Sequence, residues 1–240
     1  MIKVISFKIC PFVQRVTALL EAKNAPYEIE YIDLNNKPDW FIKVSPNGQV
    51  PLLITELGEV LFESDAIVEY LEETVPSSLF SDNPVKKAQE RAWSYLASKH
   101  YLVQCSAQRS KDKTTLLERA NKLSKAFSKL ETKLTDNKFF NGDSLGMVDL
   151  AWLPLLHRAS IIENYSGYDF IGKFPKVKSL QQNILETGLA EKSVSADFKD
   201  KFTAFYLSEQ TFLGQCAKAK RGIACVGESE CQDEDFACCS

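Results

Sequence analysis

Lys3-Val4-Ile5-Ser6-Phe7-Lys8-Ile9-Cys10-Pro11-Phe12-Val13-Gln14-Arg15-Val16 is the stretch that most limits what this chain can become. Val4, Ser6 and Lys8 alternate with Ile5, Phe7 and Ile9, the period-two spacing of a strand. Phe12, Val16, Leu19, Leu20 and Lys23 then recur at helical spacing, so the period changes at Cys10. Cys10 falls at the helix N-cap, and Pro11 fits the first helical position, where its missing N–H costs nothing and its fixed φ suits the turn. A strand that runs into a helix through a cysteine presents the sulfur to the unbonded N–H groups of the first turn.

Those donors, with the positive end of the helix dipole, favour a thiolate and lower a cysteine pKa from ~8.5 into the range ~3.5–7.5. The competing reading, a cysteine serving as a small buried apolar residue, leaves the strand-to-helix placement unexplained. Val13 stands where a Cys-x-x-Cys reductase carries its resolving thiol. An intermediate on Cys10 is therefore expected to be resolved by an external thiol.

At 240 residues, 45% of them apolar and 25% charged, the chain has room for one large domain or two modest ones. Its net charge of −3, with Lys and Arg spread along the chain, offers no basic field for nucleic acid or an anionic membrane. The longest apolar run, Leu150 to Leu156, is far short of a membrane span. Lys3 and Lys8 interrupt the first residues and no small-residue cleavage site follows, so no secretory signal is expected. A cytoplasmic address follows as an expectation, with the seven cysteines mostly reduced.

Beyond the first helix, which should end near Lys23-Asn24, Tyr27 to Ile32 alternates again and reads as a parallel second strand. Lys37-Pro38-Asp39-Trp40-Phe41 can start a short helix, and Ser45-Pro46-Asn47-Gly48 is a turn signal before a strand over Gln49 to Ile54. Leu57-Gly58-Glu59 turns into Val60-Leu61-Phe62, and Ser64 is a natural N-cap for a helix carrying Ala66, Ile67, Tyr70 and Leu71. Strand, helix, strand, helix, strand, strand, helix within residues 1–78 is an α/β thioredoxin-like layout, a small sheet with helices on both faces.

Cys10-Pro11-Phe12, Asn36-Lys37-Pro38-Asp39-Trp40-Phe41, Gly48-Gln49-Val50-Pro51 and Phe62-Glu63-Ser64, in that order, resemble the amino-terminal domain of omega-class glutathione transferases. The resemblance implies that Cys10 forms a mixed disulfide with glutathione. It implies that Val50 offers its backbone N–H and C=O to the cysteinyl unit, with Pro51 cis, and that Lys37 meets the glycyl carboxylate. Glu63 would take the γ-glutamyl ammonium and Ser64 the γ-glutamyl carboxylate, with Phe12 beside the thiol. Taken singly, each residue has a plainer explanation: a surface lysine is usually solvated, a Glu-Ser pair before a helix usually caps it, and a proline opening a strand is usually trans. One zwitterionic tripeptide accounts for all of them together, because it needs opposite charges at its ends and a strand edge in the middle.

Residues 79–84 read as a polar, proline-containing linker, and residues 85–213 as an all-α domain. Its helices are expected over Val85 to Gln108, Lys113 to Thr135, Met147 to Tyr165 and Pro175 to Thr187. Gly142 to Asp149 is similar to the family's capping segment, with Gly146 where a hydroxyl residue is usual; glycine costs only a few tenths of a kcal/mol as a cap, and Asp149 reads as structural. The acceptor pocket should lie between Cys10 and this domain. By resemblance Phe12, Phe202 and Tyr206 are candidates for it, although an aromatic stripe over Phe198, Phe202, Phe205 and Tyr206 is equally well ordinary core. Trp93 and Trp152 are assigned to the core, His100 and His157 to ordinary helix positions without metal-like spacing, and Cys105 to an inert place on an apolar helix side.

Residues 214–240 form a cysteine-rich tail with Cys216, Cys225, Cys231, Cys238 and Cys239. Gaps of eight, five, six and zero residues match no close zinc pairs, and five thiols leave one over if they pair within the chain. A tail stapled by two disulfides, an irregular metal site and a flexible redox-sensitive appendage all stay open; no resident metal is otherwise expected.

The expected function is a glutathione-dependent thiol transferase acting on a small disulfide or electrophilic acceptor, with dehydroascorbate implied as another acceptor by the family. The alternatives are a non-enzymatic binding or interaction protein on the same fold and a conjugating transferase, which would instead need a tyrosine or serine to stabilise glutathione's own thiolate. Ser6 is a possible substitute hydroxyl but lies within the strand. The resemblance also implies a homodimer, the first domain of one chain facing the helical domain of the other.

Overall fold

The computed structural model describes residues 1–225. Strands β1 (Ile2–Ser6), β2 (Tyr27–Tyr31), β3 (Leu52–Ile54) and β4 (Val60–Phe62) form one sheet in the order β2-β1-β3-β4. β2 runs parallel to β1, which requires the crossover helix α1 (Pro11–Ala22); β3 and β4 are antiparallel, joined by the turn in which Gly58 takes φ +85°. Leu53 is register partner to both Val4 and Leu61, so β1 and β3 are the interior strands.

Alternation along β1 divides two apolar layers. Val4 and Leu53 join Val16, Leu20, Ile67 and Leu71 from α1 and α3 (Ser64–Thr74), whereas Ile5 and Leu52 meet Ile32 and Phe41 with α2 (Asp39–Val44) on the opposite face. β1 is shorter than its alternation suggests: pairing with β2 stops at Ser6, and Cys10 N–H turns back to the Phe7 carbonyl at 3.0 Å. Ser64 opens α3 as its first residue, and the cap position is taken by Glu63.

The helical region holds α4 (Pro84–Ser98), α5 (Tyr101–Gln108), α6 (Lys113–Lys133), α7 (Met147–Ser166), α8 (Pro175–Glu186), α9 (Leu189–Lys192), α10 (Phe198–Tyr206) and α11 (Phe212–Cys225). Asn83 caps α4 through Val85 and Lys86 N–H, which puts Pro84 inside the helix and out of the linker. The single helix expected from Val85 to Gln108 is two, broken at Lys99-His100, where the His100 ring bonds the Leu96 carbonyl at 2.7 Å. α7 is the hub: Trp152, Leu153, Leu155, Leu156 and Ile162 are buried around its circumference. Asp149, almost fully buried, accepts Gly146 N–H at 2.8 Å and Phe140 N–H at 2.9 Å and so closes the capping box in which Gly146 has no hydroxyl.

The chain continues helical through Gly214, the position read as the start of a tail. α11 packs on α7, with Leu213, Cys216 and Ala217 buried. The expectation of a tail missed this because the cysteines at 216 and 225 masked a helical apolar spacing that starts at Phe212. Cys231, Cys238 and Cys239, and any pairing among them, lie outside the described residues.

The two regions meet along α1 and α7. Gln14 Nε2 and His157 Nδ1 lie 2.9 Å apart, Thr17 Oγ1 donates to the Ser193 carbonyl at 2.7 Å, and Lys8 pairs with Asp197 at 2.6 Å. Glu72 on α3 fixes the linker, accepting from Ser78 Oγ at 2.7 Å and Leu79 N–H at 2.6 Å while paired with Lys23 at 2.9 Å. The second region therefore holds the strand-to-helix junction from behind.

Candidate active site

Cys10 has the extended backbone of an N-cap, φ −75° and ψ 122°, and its carbonyl accepts the first helical bond from Gln14 N–H at 3.1 Å. Its half-buried sulfur faces the N–H groups of Phe12 and Val13, which favour the anion without closing a formal capping hydrogen bond. Arg158, fully buried on α7, adds a cation from the other side. Burial nonetheless pushes the Cys10 thiol up to about 11, against those donors and that cation. Desolvation thus opposes the acidic thiol that the N-cap placement leads one to expect, with the turn's donors pulling the other way.

A cavity of about 350 Å³ opens beside the sulfur, and Phe12, Lys37, Val50, Pro51, Glu63 and Ser64 all line it with Cys10. Val50 stands ahead of the ladder that begins at Leu52, and the Val50–Pro51 bond is cis. Glu63 has φ +65° and ψ 117°, an unfavourable backbone for a side-chain-bearing residue, and lies exposed between β4 and α3. The helix N-terminus at Ser64 and the Glu63 carboxylate give one end of the cavity both signs of charge. Lys37 supplies a cation, and Gly48, at φ +58° in the preceding turn, leaves the lysine ammonium room.

Among the lining residues that the sequence reading does not place in this cavity, Asn47 and Asp65 bear on its charge. Asn47, read only as part of a turn, donates through Nδ2 to Glu63 Oε1 at 2.9 Å and so orients that carboxylate. Asp65, read only as a lead into α3, lines the cavity while bonded to the buried Arg15. The signal for both was their place in turns adjoining the quoted motifs.

A second cavity, about 640 Å³, meets the first at Cys10, Phe12, Leu34 and Leu102. Tyr206 lines it as expected, but Phe202 does not: it is fully buried between Phe198 and Tyr206, with ring centroids at 5.7 and 4.9 Å, because the helical stripe turns that position toward the core. Cys105 is not confined to an inert apolar side; it lines this cavity and engages the Tyr206 hydroxyl. His157 is buried against Gln14 and Phe198, and Trp152 is fully buried. A further cavity of about 660 Å³, between Ser78 and Gly146, shares no lining residue with Cys10's surroundings and contains no cysteine. Among the described residues no cluster of three or more His, Cys, Asp or Glu side chains has a metal-binding arrangement.

Residues 9–74 match the family model of the glutathione S-transferase N-terminal domain, and residues 86–187 that of the C-terminal domain. Rat glutathione S-transferase omega-1 is 34% identical over 212 residues, 87% of each chain. The rice protein named probable glutathione S-transferase DHAR2, chloroplastic, is 31% identical over 188 residues, 78% of this chain and 65% of that longer one. A rice glutathione transferase solved in complex with glutathione superposes with a TM-score of 0.74 at 22% identity, over 91% of this chain and 96% of its own. With a thioredoxin-like domain, a helical domain packed behind it and a cysteine where strand becomes helix, the chain belongs to the glutathione S-transferase family, on its omega-like side.

Proposed function

We propose that the protein is a glutathione-dependent thiol transferase in which Cys10 is the nucleophile. The observation that carries this reading is that Cys10, Phe12, Lys37, Val50, Pro51, Glu63 and Ser64 line one cavity. Lys37 meets the glycyl carboxylate, the Val50 backbone pairs with the cysteinyl unit, and Glu63 with Ser64 holds the γ-glutamyl ammonium and carboxylate. The tripeptide's sulfur is thereby brought to Cys10.

The Cys10 thiol first loses its proton, and the anion that forms is met by Phe12 and Val13 N–H and by the Arg158 cation. It attacks the glutathionyl sulfur of a mixed disulfide, forming Cys10–S–S–glutathione and expelling the acceptor as a thiolate that takes up a proton. A second glutathione thiolate attacks the glutathionyl sulfur of that adduct, releasing oxidised glutathione and regenerating Cys10. Net, the mixed disulfide and one glutathione thiol become oxidised glutathione and the acceptor thiol, one disulfide exchanged for another. Dehydroascorbate is a further acceptor, and the protein acts as a cytoplasmic homodimer.

Turnover of hydroxyethyl disulfide with glutathione tests the assignment. Cys10→Ser abolishes it while the variant still binds a glutathione-affinity column. Activity near wild type in Cys10→Ser overturns the nucleophile, and column retention without turnover by the wild-type chain favours a binding protein.

A further inference from the structure

The second cavity carries information about the acceptor. It reaches Cys10 and is walled by aromatic side chains, with Phe205 45% exposed at its opening. Its lining includes two guanidinium groups, Arg109 and Arg119, and no carboxylate. Arg109 is stacked over the Phe205 ring at 5.2 Å, which restricts its swing. Arg119 donates through Nη1 to the Ser106 carbonyl at 2.9 Å and to Ser110 Oγ at 3.4 Å. Neither arginine is in an ion pair among the described residues, and the Nε/Nη2 edge of Arg119 makes no hydrogen bond there. Asp112, the carboxylate whose field reaches Arg119, is committed to Thr115 as the cap of α6 and does not line the cavity.

We propose that this cavity selects acceptors bearing a carboxylate or sulfonate on a flat apolar body, with Arg109 and Arg119 reading the anion and Phe12, Phe205 and Tyr206 enclosing the body. An anion entering a cavity whose lining carries two cations and no carboxylate makes charge-assisted hydrogen bonds with them. Arginine suits the task because its planar fork matches the two oxygens of a carboxylate and is held here by a ring and by a helix-end carbonyl. The proposal rests on the reading of the neighbouring cavity as the glutathione site, since it is the bound tripeptide's sulfur that delivers the acceptor.

A matched pair of unreactive thioethers, S-(4-carboxybenzyl)glutathione and S-benzylglutathione, tests it by calorimetric titration of the wild-type chain and of the Arg109→Gln/Arg119→Gln variant. The wild-type chain should bind the carboxylated ligand about 10- to 100-fold more tightly, a preference that shrinks with added salt. The double variant should lose the preference and keep its affinity for S-benzylglutathione within about twofold, which also reports that it has folded. Equal wild-type affinities, or a preference that survives the double substitution, overturns the anion site alone. Failure of the wild-type chain to bind glutathione itself overturns the glutathione reading and this proposal with it.

Discussion

Arg158 Nη2 donates to the carbonyl of Ile9 at 3.2 Å, so a residue of α7 holds the peptide that leads directly into Cys10. The same guanidinium bonds Gln14 Oε1 on α1 and the Pro154 carbonyl one turn back, and lies 5.3 Å from the centre of the Phe198 ring. A fork of this shape cannot be reproduced by an ammonium. Arg158→Lys should lower stability by about 1–3 kcal/mol in urea denaturation and reduce thiol transfer at least about tenfold. Glutathione affinity should stay within about threefold, because Arg158 does not line that cavity. Unchanged turnover would show that the junction holds itself.

Cys10 gives a pH dependence with a definite sign. Burial pushes its thiol up to about 11, so the nucleophilic form grows as protons are withdrawn. Alkylation of Cys10 by iodoacetamide, followed by peptide mass spectrometry, should accelerate steadily from pH 6 through pH 9 without a plateau. A plateau already established at pH 6 would mean that the helix N-terminus outweighs desolvation.

The motifs that could be read in advance were those whose meaning is local. A change of hydrophobic period at Cys10, a Val-Pro pair before β3 and a Glu-Ser pair before α3 each fix a backbone event within a few residues, and all meet around one cavity. What escaped depends on chain segments far apart. Arg158 on α7 and Cys105 on α5 both act on Cys10, and neither announces from its neighbours that it belongs near residue 10. Phe202 and Tyr206 share one helical stripe, yet only the second reaches the cavity, a difference of rotation that spacing alone does not set.

Glu63 couples stability and binding in opposite directions. Its φ of +65° costs on the order of 1–3 kcal/mol for a residue with a side chain. Glu63→Gly should therefore raise the urea midpoint by an amount corresponding to about 1 kcal/mol. It should also weaken glutathione binding about 10- to 100-fold by removing the carboxylate proposed to meet the γ-glutamyl ammonium. A variant that gains stability and keeps its affinity would remove Glu63 from the binding site.

Gly214 tests the reach of the helical domain. A Cβ there would overlap the Ser208 carbonyl oxygen and lie 2.5 Å from that of Leu207, and both are backbone atoms that cannot swing aside. Gly214→Ala should lower stability by about 1–3 kcal/mol, read as a fall in the thermal midpoint, although alanine is the better helix former. A rise would mean that α11 does not pack against the turn after α10.

Asp149 and Glu72 predict opposite pH slopes for the same protein. Burial raises the Asp149 carboxyl to about 6, so the folded chain binds more protons than the unfolded chain between about pH 4 and 6. Its contribution is fully present below the unfolded value and is lost, on the order of 3 kcal/mol, as the pH rises through 6. Burial also pushes the Glu72 carboxyl up, but hydrogen bonds from Ser78, Lys23 and Leu79 together outweigh it and hold the group below the ordinary carboxylate range. Its contribution is present above that range and disappears as the pH falls through the depressed value. Urea titrations at pH 4 and pH 7 separate the two. The stability of the wild-type chain relative to Asp149→Asn should be greater at pH 4, whereas its advantage over Glu72→Gln should be greater at pH 7. The same sign for both differences would show that one of the two carboxylates is not held in the environment described, and the variant with the inverted slope identifies which.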